Sequence, residues 1–328
     1  MDWKFSANAA FFGARRDRFV QYQPDRTLEE KFGLVARVPD VTGIELKYPA
    51  DFGDMALLNG LLERYGLAVS AVNVDTKDVN HFRYGALSAR DADARQHAVS
   101  LLREGMDRAA DLGTDLVTTC PLADGYDYPF QVDYTDAWGH FVETVKAVVT
   151  HRSDVTLLLE YQPHEPHAKI LLNNVGKALH VCAEVGAPNL GANLDVGHSF
   201  AAGEAPAEAA ALLAAQGRLF YIHTNDNTGD GGDWDMISGT VHFWHWLELL
   251  YTLDRIGYDG WFGGDIMSKH MGPVDAYKTN FMMVRRMTAM LRRLGPDRIA
   301  ALVRKDGHTA ETYELLTSTL ASEAGEAE

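Results

Sequence analysis

Short apolar or β-branched runs alternate with longer stretches in which apolar residues recur every three to four positions, and the alternation continues along nearly the whole chain. The short runs predict eight strands, at roughly residues 3–8, 43–48, 67–74, 115–120, 155–160, 190–195, 220–225 and 260–265. Between them lie helical patterns such as ADARQHAVSLLREGMDRAADLG, which closes on a glycine suited to a helix C-cap. Eight strand–helix units in series predict a single (β/α)8 TIM barrel, an α/β architecture that commonly runs beyond about 250 residues as one domain. The organisation expected is a barrel over residues 1–295, followed over 296–328 by a C-terminal helical extension and the acidic tail ASEAGEAE. The stretches VDAYKTNFMMVRRMTAMLRRLG and TAETYELLTSTL carry apolar stripes beyond what closing a barrel needs. They predict a homo-oligomer, dimer or tetramer, with packing across the barrel's own base as the other reading.

In such a barrel the carboxyl ends of the strands face one mouth. Asn8, Glu45, Asn73, Glu160, Asp195, His223 and Asp265 all fall at or near predicted strand ends. The run LLLEYQPHEP passes from three leucines straight into Glu160. A carboxylate at the inner end of an apolar strand is costly unless a cation or several hydrogen bonds meet it. An isolated strand-end acid is ordinarily a helix N-cap or a loop anchor. Glu160, Asp195, His223 and Asp265 together, however, bring only oxygen and nitrogen donors to one mouth. That set predicts a divalent ion, Mn2+ first, with Mg2+, Co2+ or Zn2+ as alternatives. His198, three residues after Asp195, and the alternating Asp233 and Asp235 of GDGGDWDMISG predict a second ion sharing Asp195 as a bridge. Glycine–aspartate clusters also build turns without any metal. His242 and His245, three apart on the next helical stretch, read as helix-face residues.

Composition narrows the partners. With 46% hydrophobic and 23% charged residues the chain can bury a substantial core. Its 30 Lys+Arg against 46 Asp+Glu give a net charge of −16, which disfavours nucleic acid, anionic membranes and highly phosphorylated substrates and favours a neutral ligand or a cation. A multi-zinc nuclease would need more histidine ligands and a basic rim. Cys120 and Cys182 lie in apolar contexts without CxxC spacing and read as reduced core residues. The start, MDWKFSANAAFFG, has no basic region followed by a long apolar run, and no window reaches the roughly 18 apolar residues of a membrane helix, so a cytoplasmic location is expected.

The ordered set Glu160, Asp195 with His198, His223, Asp233 with Asp235, and Asp265 resembles the metal pattern of the xylose isomerase-like barrels, and within them L-rhamnose isomerase and its relatives. That pattern is a Glu after strand five, Asp-x-x-His after strand six, His after strand seven, Asp-x-Asp in the following loop and Asp after strand eight. FRYGALSARDADARQHAV (82–99) and EYQPHEP are similar to further family segments. The resemblance implies a metal-dependent sugar isomerase or epimerase. It departs at one position, since Gln162 stands where those aldose isomerases carry a lysine that helps polarise the sugar's terminal oxygen; an amide offers a hydrogen bond without the charge.

Two adjacent sugar oxygens on a divalent ion favour migration of a carbonyl, with hydrogen passing as hydride between C1 and C2 or as a proton through an enediolate. Glu160 and Asp265 are the expected proton carriers, with Gln162 and His198 as further catalytic candidates. Trp3, Phe11, Tyr48, His81 and Tyr126 follow early strands and, with Asp235, are candidates for the sugar-facing wall, although aromatic residues are equally at home in a core. The same chemistry could serve a lyase or deglycosidase acting on a keto-sugar derivative, and Gln162 leaves open a barrel subunit without catalysis.

Overall fold

Eight strands alternate with helices and close on themselves: β1 (Lys4–Asn8), β2 (Val41–Tyr48), β3 (Ala68–Val74), β4 (Leu116–Thr119), β5 (Thr156–Glu160), β6 (Leu190–Asp195), β7 (Leu219–Thr224) and β8 (Trp261–Gly264). All neighbours are parallel, and β8 pairs with β1 to complete the barrel. The computed structural model describes residues 2–165, 167–230 and 232–322. The apolar runs mark the strands because parallel strands under a helical layer are buried on both faces; Leu157, Leu158 and Leu159 of β5 are fully buried.

Side chains fill the lumen below the mouth. Ser6 Oγ, Ser70 Oγ and the Tyr221 hydroxyl form a chain at 2.6 and 2.9 Å, beside a cluster of Ala71, Leu116, Leu158 and Tyr221. Tyr221 and His223 are two apart on β7 and face the same way, so the His223 side chain lies one layer above this plug.

The helix Ala92–Asp111 shows how the outer layer is built. Its buried positions Ala98, Leu102, Gly105, Met106 and Ala109 follow the helical repeat. Gly105 allows close approach, since a Cβ there would lie 2.3 Å from Val74 Cγ2 on β3. The Asp91 side chain accepts from Asp93 N, and the chain turns at Gly113 with φ 75°.

The long helix Pro273–Leu294 buries Tyr277, Phe281, Val284, Met287 and Leu291. Each such burial contributes about 1.5–3 kcal/mol relative to exposure. Its apolar stripe is thus covered by the chain's own barrel and gives no separate argument for a second copy. Helices Pro296–Val303 and Thr309–Ser322 follow it, and the Tyr313 ring meets Trp244 edge-on at 5.8 Å. The acidic end of the tail, residues 323–328, lies outside the described residues.

Several strand-to-helix loops carry structure too short to leave a period in the sequence. Arg15–Arg16 pairs with Gln21–Gln23, and Gly125–Tyr126, Ala168–Ile170 and His164–Glu165 form a small antiparallel sheet. No described helix is long and apolar enough to cross a membrane.

Candidate metal centre

Strand register brings four side chains together. Glu160 ends β5, level with Asn193 on β6; Asp195 ends β6, level with His223 on β7; Asp265 follows directly on β8. One donor atom from each of Glu160, Asp195, His223 and Asp265 lies within 4.8 Å of all the others. His223 Nδ1 is 3.0 Å from Asp265 Oδ2, 3.4 Å from Glu160 Oε2 and 3.7 Å from Asp195 Oδ2. Glu160, Asp195 and His223 are buried, and Asp265 is partly open to the mouth.

A further set of residues holds these four. His223 Nε2 stands 2.9 Å from Glu45 Oε2, and Glu45 Oε1 accepts from Asn73 Nδ2 at 2.8 Å. With Nε2 turned to a carboxylate, Nδ1 is left facing the cluster, the arrangement that fixes a metal-binding imidazole. Asn193 Nδ2 donates to Glu160 Oε2 at 3.0 Å. Both oxygens of Asp195 are held, Oδ1 by His198 N and Oδ2 by Asn225 Nδ2, each at 2.8 Å. Asn225 is in turn fixed by Gly197 N at 2.6 Å, and a Cβ on Gly197 would come within 2.8 Å of Asn225 Oδ1, so only glycine suits that position.

The electrostatics express the crowding. Burial pulls the His223 pKa down, but Glu160, Glu45 and Asp265 outweigh it and hold the imidazole protonated well above its usual range. Burial pushes Glu160 up, and His223 overturns that, leaving its carboxyl at about 2. Asp195 is pushed up to about 7, by burial first, with Glu160 and Asp265 adding to it. Protonated His223 and His198, the latter also held well above its usual range by Asp195, Asp233 and Glu160 against its burial, are thus the compensating charges among several carboxylates. Asp265 Oδ1 is buried without a hydrogen-bond partner. Three carboxylates, one imidazole and an unsatisfied buried oxygen fit a hard or borderline divalent cation.

Residues 34–287 match the family model described as "Xylose isomerase-like TIM barrel". The chain belongs to that family. Among solved structures, this xylose isomerase-like barrel is similar to a D-tagatose 3-epimerase-like protein (19% identity, 89% of this chain and 99% of that one, TM-score 0.69). It is likewise similar to an L-ribulose 3-epimerase (18%, 93% and 99%, TM-score 0.68) and to the 3-keto-D-glucoside 4-epimerase of E. coli (14%, 87% and 100%, TM-score 0.66). At these identities the likeness is one of fold.

The remaining expected residues distribute around the mouth of this family barrel, or away from it. His198 packs against the cluster, with Nδ1 3.4 Å from Glu160 Oε1 and Nε2 3.4 Å from Asp233 Oδ1. Asp235 is buried close by; its carboxyl is raised well above the usual range by burial and then by Asp233, Asp265 and Asp195. Among the described residues two groups are compact enough to hold an ion, the four above and Cys120 with Glu160 and His198, and Asp233 and Asp235 are in neither. Gln162 is buried; its Nε2 donates to Glu165 Oε1 at 3.1 Å and its Oε1 accepts from Cys120 Sγ at 3.6 Å.

Trp3 precedes β1 and so sits at the end opposite the mouth, donating to Thr288 Oγ1 at 2.8 Å and packing on Phe262 at 4.7 Å. The structure does not bring it to the metal cluster, because a residue before a barrel strand faces the base. His81 and Tyr126 line a separate cavity of about 880 Å3 between the loops after β3 and β4; none of the four clustered residues lines it.

The structure adds Asn193 and Asn225, which the sequence reading passed over, although Asn193 is two before Asp195 on the same strand face. Cys120 was expected as plain core; it is free and buried, yet lies at the cluster's edge. Lys77 left no signal. A bond between Thr76 Oγ1 and Thr119 Oγ1 at 3.0 Å ties its loop to the end of β4, and the Lys77 ammonium lies within electrostatic range of Cys120, Asp75, Glu160 and Asp265.

Proposed function

We propose that this chain is a divalent-cation-dependent sugar epimerase or isomerase that moves a proton at the carbon next to a sugar carbonyl. The observation that carries the reading is the convergence of Glu160 and Asp265, from β5 and the end of β8, on one His223 nitrogen, at 3.4 and 3.0 Å. A divalent ion held by Glu160, Asp195, His223 and Asp265, with Mn2+ as the first choice, would act as a Lewis acid on the carbonyl and its neighbouring hydroxyl. One carboxylate takes the proton, and the C–H electron pair moves into the carbon–carbon bond as the carbonyl oxygen gains charge. The other carboxylate returns a proton, giving the epimer at the same carbon or the isomer at the next. Lys77 supplies the positive charge near the reacting oxygens where Gln162 offers only an amide. His198 and Asp235 border the same space, and a second ion on His198, Asp233 and Asp235 belongs to this reading as an auxiliary site. The substrate is a small neutral sugar, since the acidic mouth and a net charge of −16 repel phosphorylated ones.

The test is turnover of a panel of ketoses and aldoses by metal-loaded protein in D2O. Deuterium entering the product at the reacting carbon is expected. Hydrogen retained entirely within the sugar would overturn the proton route, and inactivity toward the panel with Mn2+, Mg2+, Co2+ and Zn2+ alike would overturn the assignment.

A further inference from the structure

The two carboxylate oxygens of Glu160 face different neighbours. Oε2 faces His223 Nδ1 at 3.4 Å, within the four-ligand cluster, whereas Oε1 faces His198 Nδ1 at 3.4 Å. On that second side, Cys120 Sγ, a Glu160 oxygen and a His198 nitrogen all lie within 4.8 Å of one another, and all three residues are buried. His198 is only 4% exposed, and its Nδ1 has no hydrogen-bond partner. A buried, unpaired imidazole nitrogen costs free energy unless something accepts its lone pair or its proton.

We propose that Cys120, Glu160 and His198 form a second cation site that takes a thiophilic divalent ion such as Zn2+, Cd2+ or Co2+, joined to the four-ligand site through Glu160. One sulfur, one nitrogen and one oxygen donor, with a position left for water, match the ligand number of an open zinc site. The thiol makes the choice of ion: Mg2+ does not compete for sulfur, and Mn2+ binds it weakly. Burial and then Glu160 hold the Cys120 thiol well above its usual range, with Lys77 acting against them, so the sulfur becomes thiolate only as the ion binds and its proton leaves to solvent. The site differs from one built on His198, Asp233 and Asp235, which would use the other ring nitrogen, Nε2, 3.4 Å from Asp233 Oδ1. Because Glu160 is the proposed proton carrier, an ion here ties down a group the reaction needs, and the site acts as a brake set by soft metals. That last consequence rests on the proposed function; the binding does not.

The experiment strips the full chain of metal, keeps it reduced and anaerobic, and titrates it with Co2+ while recording absorbance. A thiolate on Co2+ gives an intense near-ultraviolet charge-transfer band that oxygen and imidazole ligands do not. The band is expected in the unmodified chain, persists in Cys182→Ser, disappears in Cys120→Ser and is displaced by Zn2+ or Cd2+. The absence of the band at saturating Co2+ in the unmodified chain, or its survival in Cys120→Ser, would overturn the proposal without reliance on any variant's folding or activity. Asp265→Asn separates the two sites: it should lower the bound-ion count while leaving the band in place. A band accompanied by only one bound ion in the unmodified chain supports this site and counts against the four-ligand one.

Discussion

Nε2 of His223, near the end of β7, stands 2.9 Å from Oε2 of Glu45 on β2, three strands away around the barrel. Glu45 is fully buried and is anchored by Asn73 and Asn8 at 2.8 and 3.3 Å, so it fixes both the tautomer and the tilt of the ring. Glu45→Gln should therefore weaken divalent-ion affinity by about ten- to a hundredfold while leaving every direct ligand in place. Calorimetric titration with Mn2+ measures it, and unchanged affinity would mean that the ring is oriented by other contacts.

Ion binding should be proton-linked. The ion must displace the proton that Glu160, Glu45 and Asp265 hold on His223 against its burial, and the one on Asp195, whose carboxyl is pushed up to about 7 by burial and neighbouring carboxylates. Raised pKa values mean that protons compete more strongly as pH falls, so Mn2+ affinity should drop between about pH 8 and about pH 6. Titrations in buffers of different ionisation enthalpy count the protons released. Tighter binding at the lower pH would contradict this ordering.

Lys77 and Gln162 make a paired prediction. Lys77→Met should cut kcat by about a hundredfold with KM little changed, the pattern for a charge used in the transition state. Gln162→Lys should raise aldose–ketose interconversion relative to epimerisation, because it restores a cation beside Glu160. A loss seen wholly in KM for Lys77→Met would make that residue a binding group instead.

In the loops after β3 and β4, Asp124 is the test of loop anchoring. Its buried carboxylate accepts from Ala86 N, Leu87 N and Ser88 N at 3.0, 3.0 and 2.7 Å and from Ser88 Oγ at 2.6 Å. Asp124→Ala leaves these donors unpaired and should lower unfolding free energy by about 3 kcal/mol, read from urea denaturation. A change below about 0.5 kcal/mol would mean that water replaces the carboxylate at no cost.

The barrel was legible because the strands are largely apolar runs with a polar residue at or next to their carboxyl ends, and β6 was found at 190–195 as it stands. The clustering of Glu160, Asp195, His223 and Asp265 followed from the same signal, since a strand end in such a barrel has only one direction to face. Trp3 was placed at the wrong end of its strand: it opens the expected strand 3–8, and the start of a barrel strand lies at the base, a strand length from the mouth. Lys77, and the place of Cys120 at the cluster's edge, were not legible for a different reason. Their places depend on a contact between the loop after β3 and the end of β4, Thr76 to Thr119, separated by a whole helix in the chain.

The loop carrying Asp233 and Asp235 is tied down at its base. Asp226 and Met236 exchange backbone hydrogen bonds at 2.7 and 3.0 Å, and the Asp226 carboxylate takes Val241 N and His242 N, both at 3.0 Å. Met267 N reaches across from the segment after β8 to Asp235 O at 2.9 Å, and Asp235 itself sits at φ 44°, a left-handed conformation that a non-glycine residue keeps only under such restraint. The conformational entropy of holding this carboxylate is therefore lost when the chain folds, not when a ligand arrives. A ligand that meets Asp235 then bears no ordering cost for this carboxylate, and its capture there is limited by diffusion and by shedding of its hydration shell.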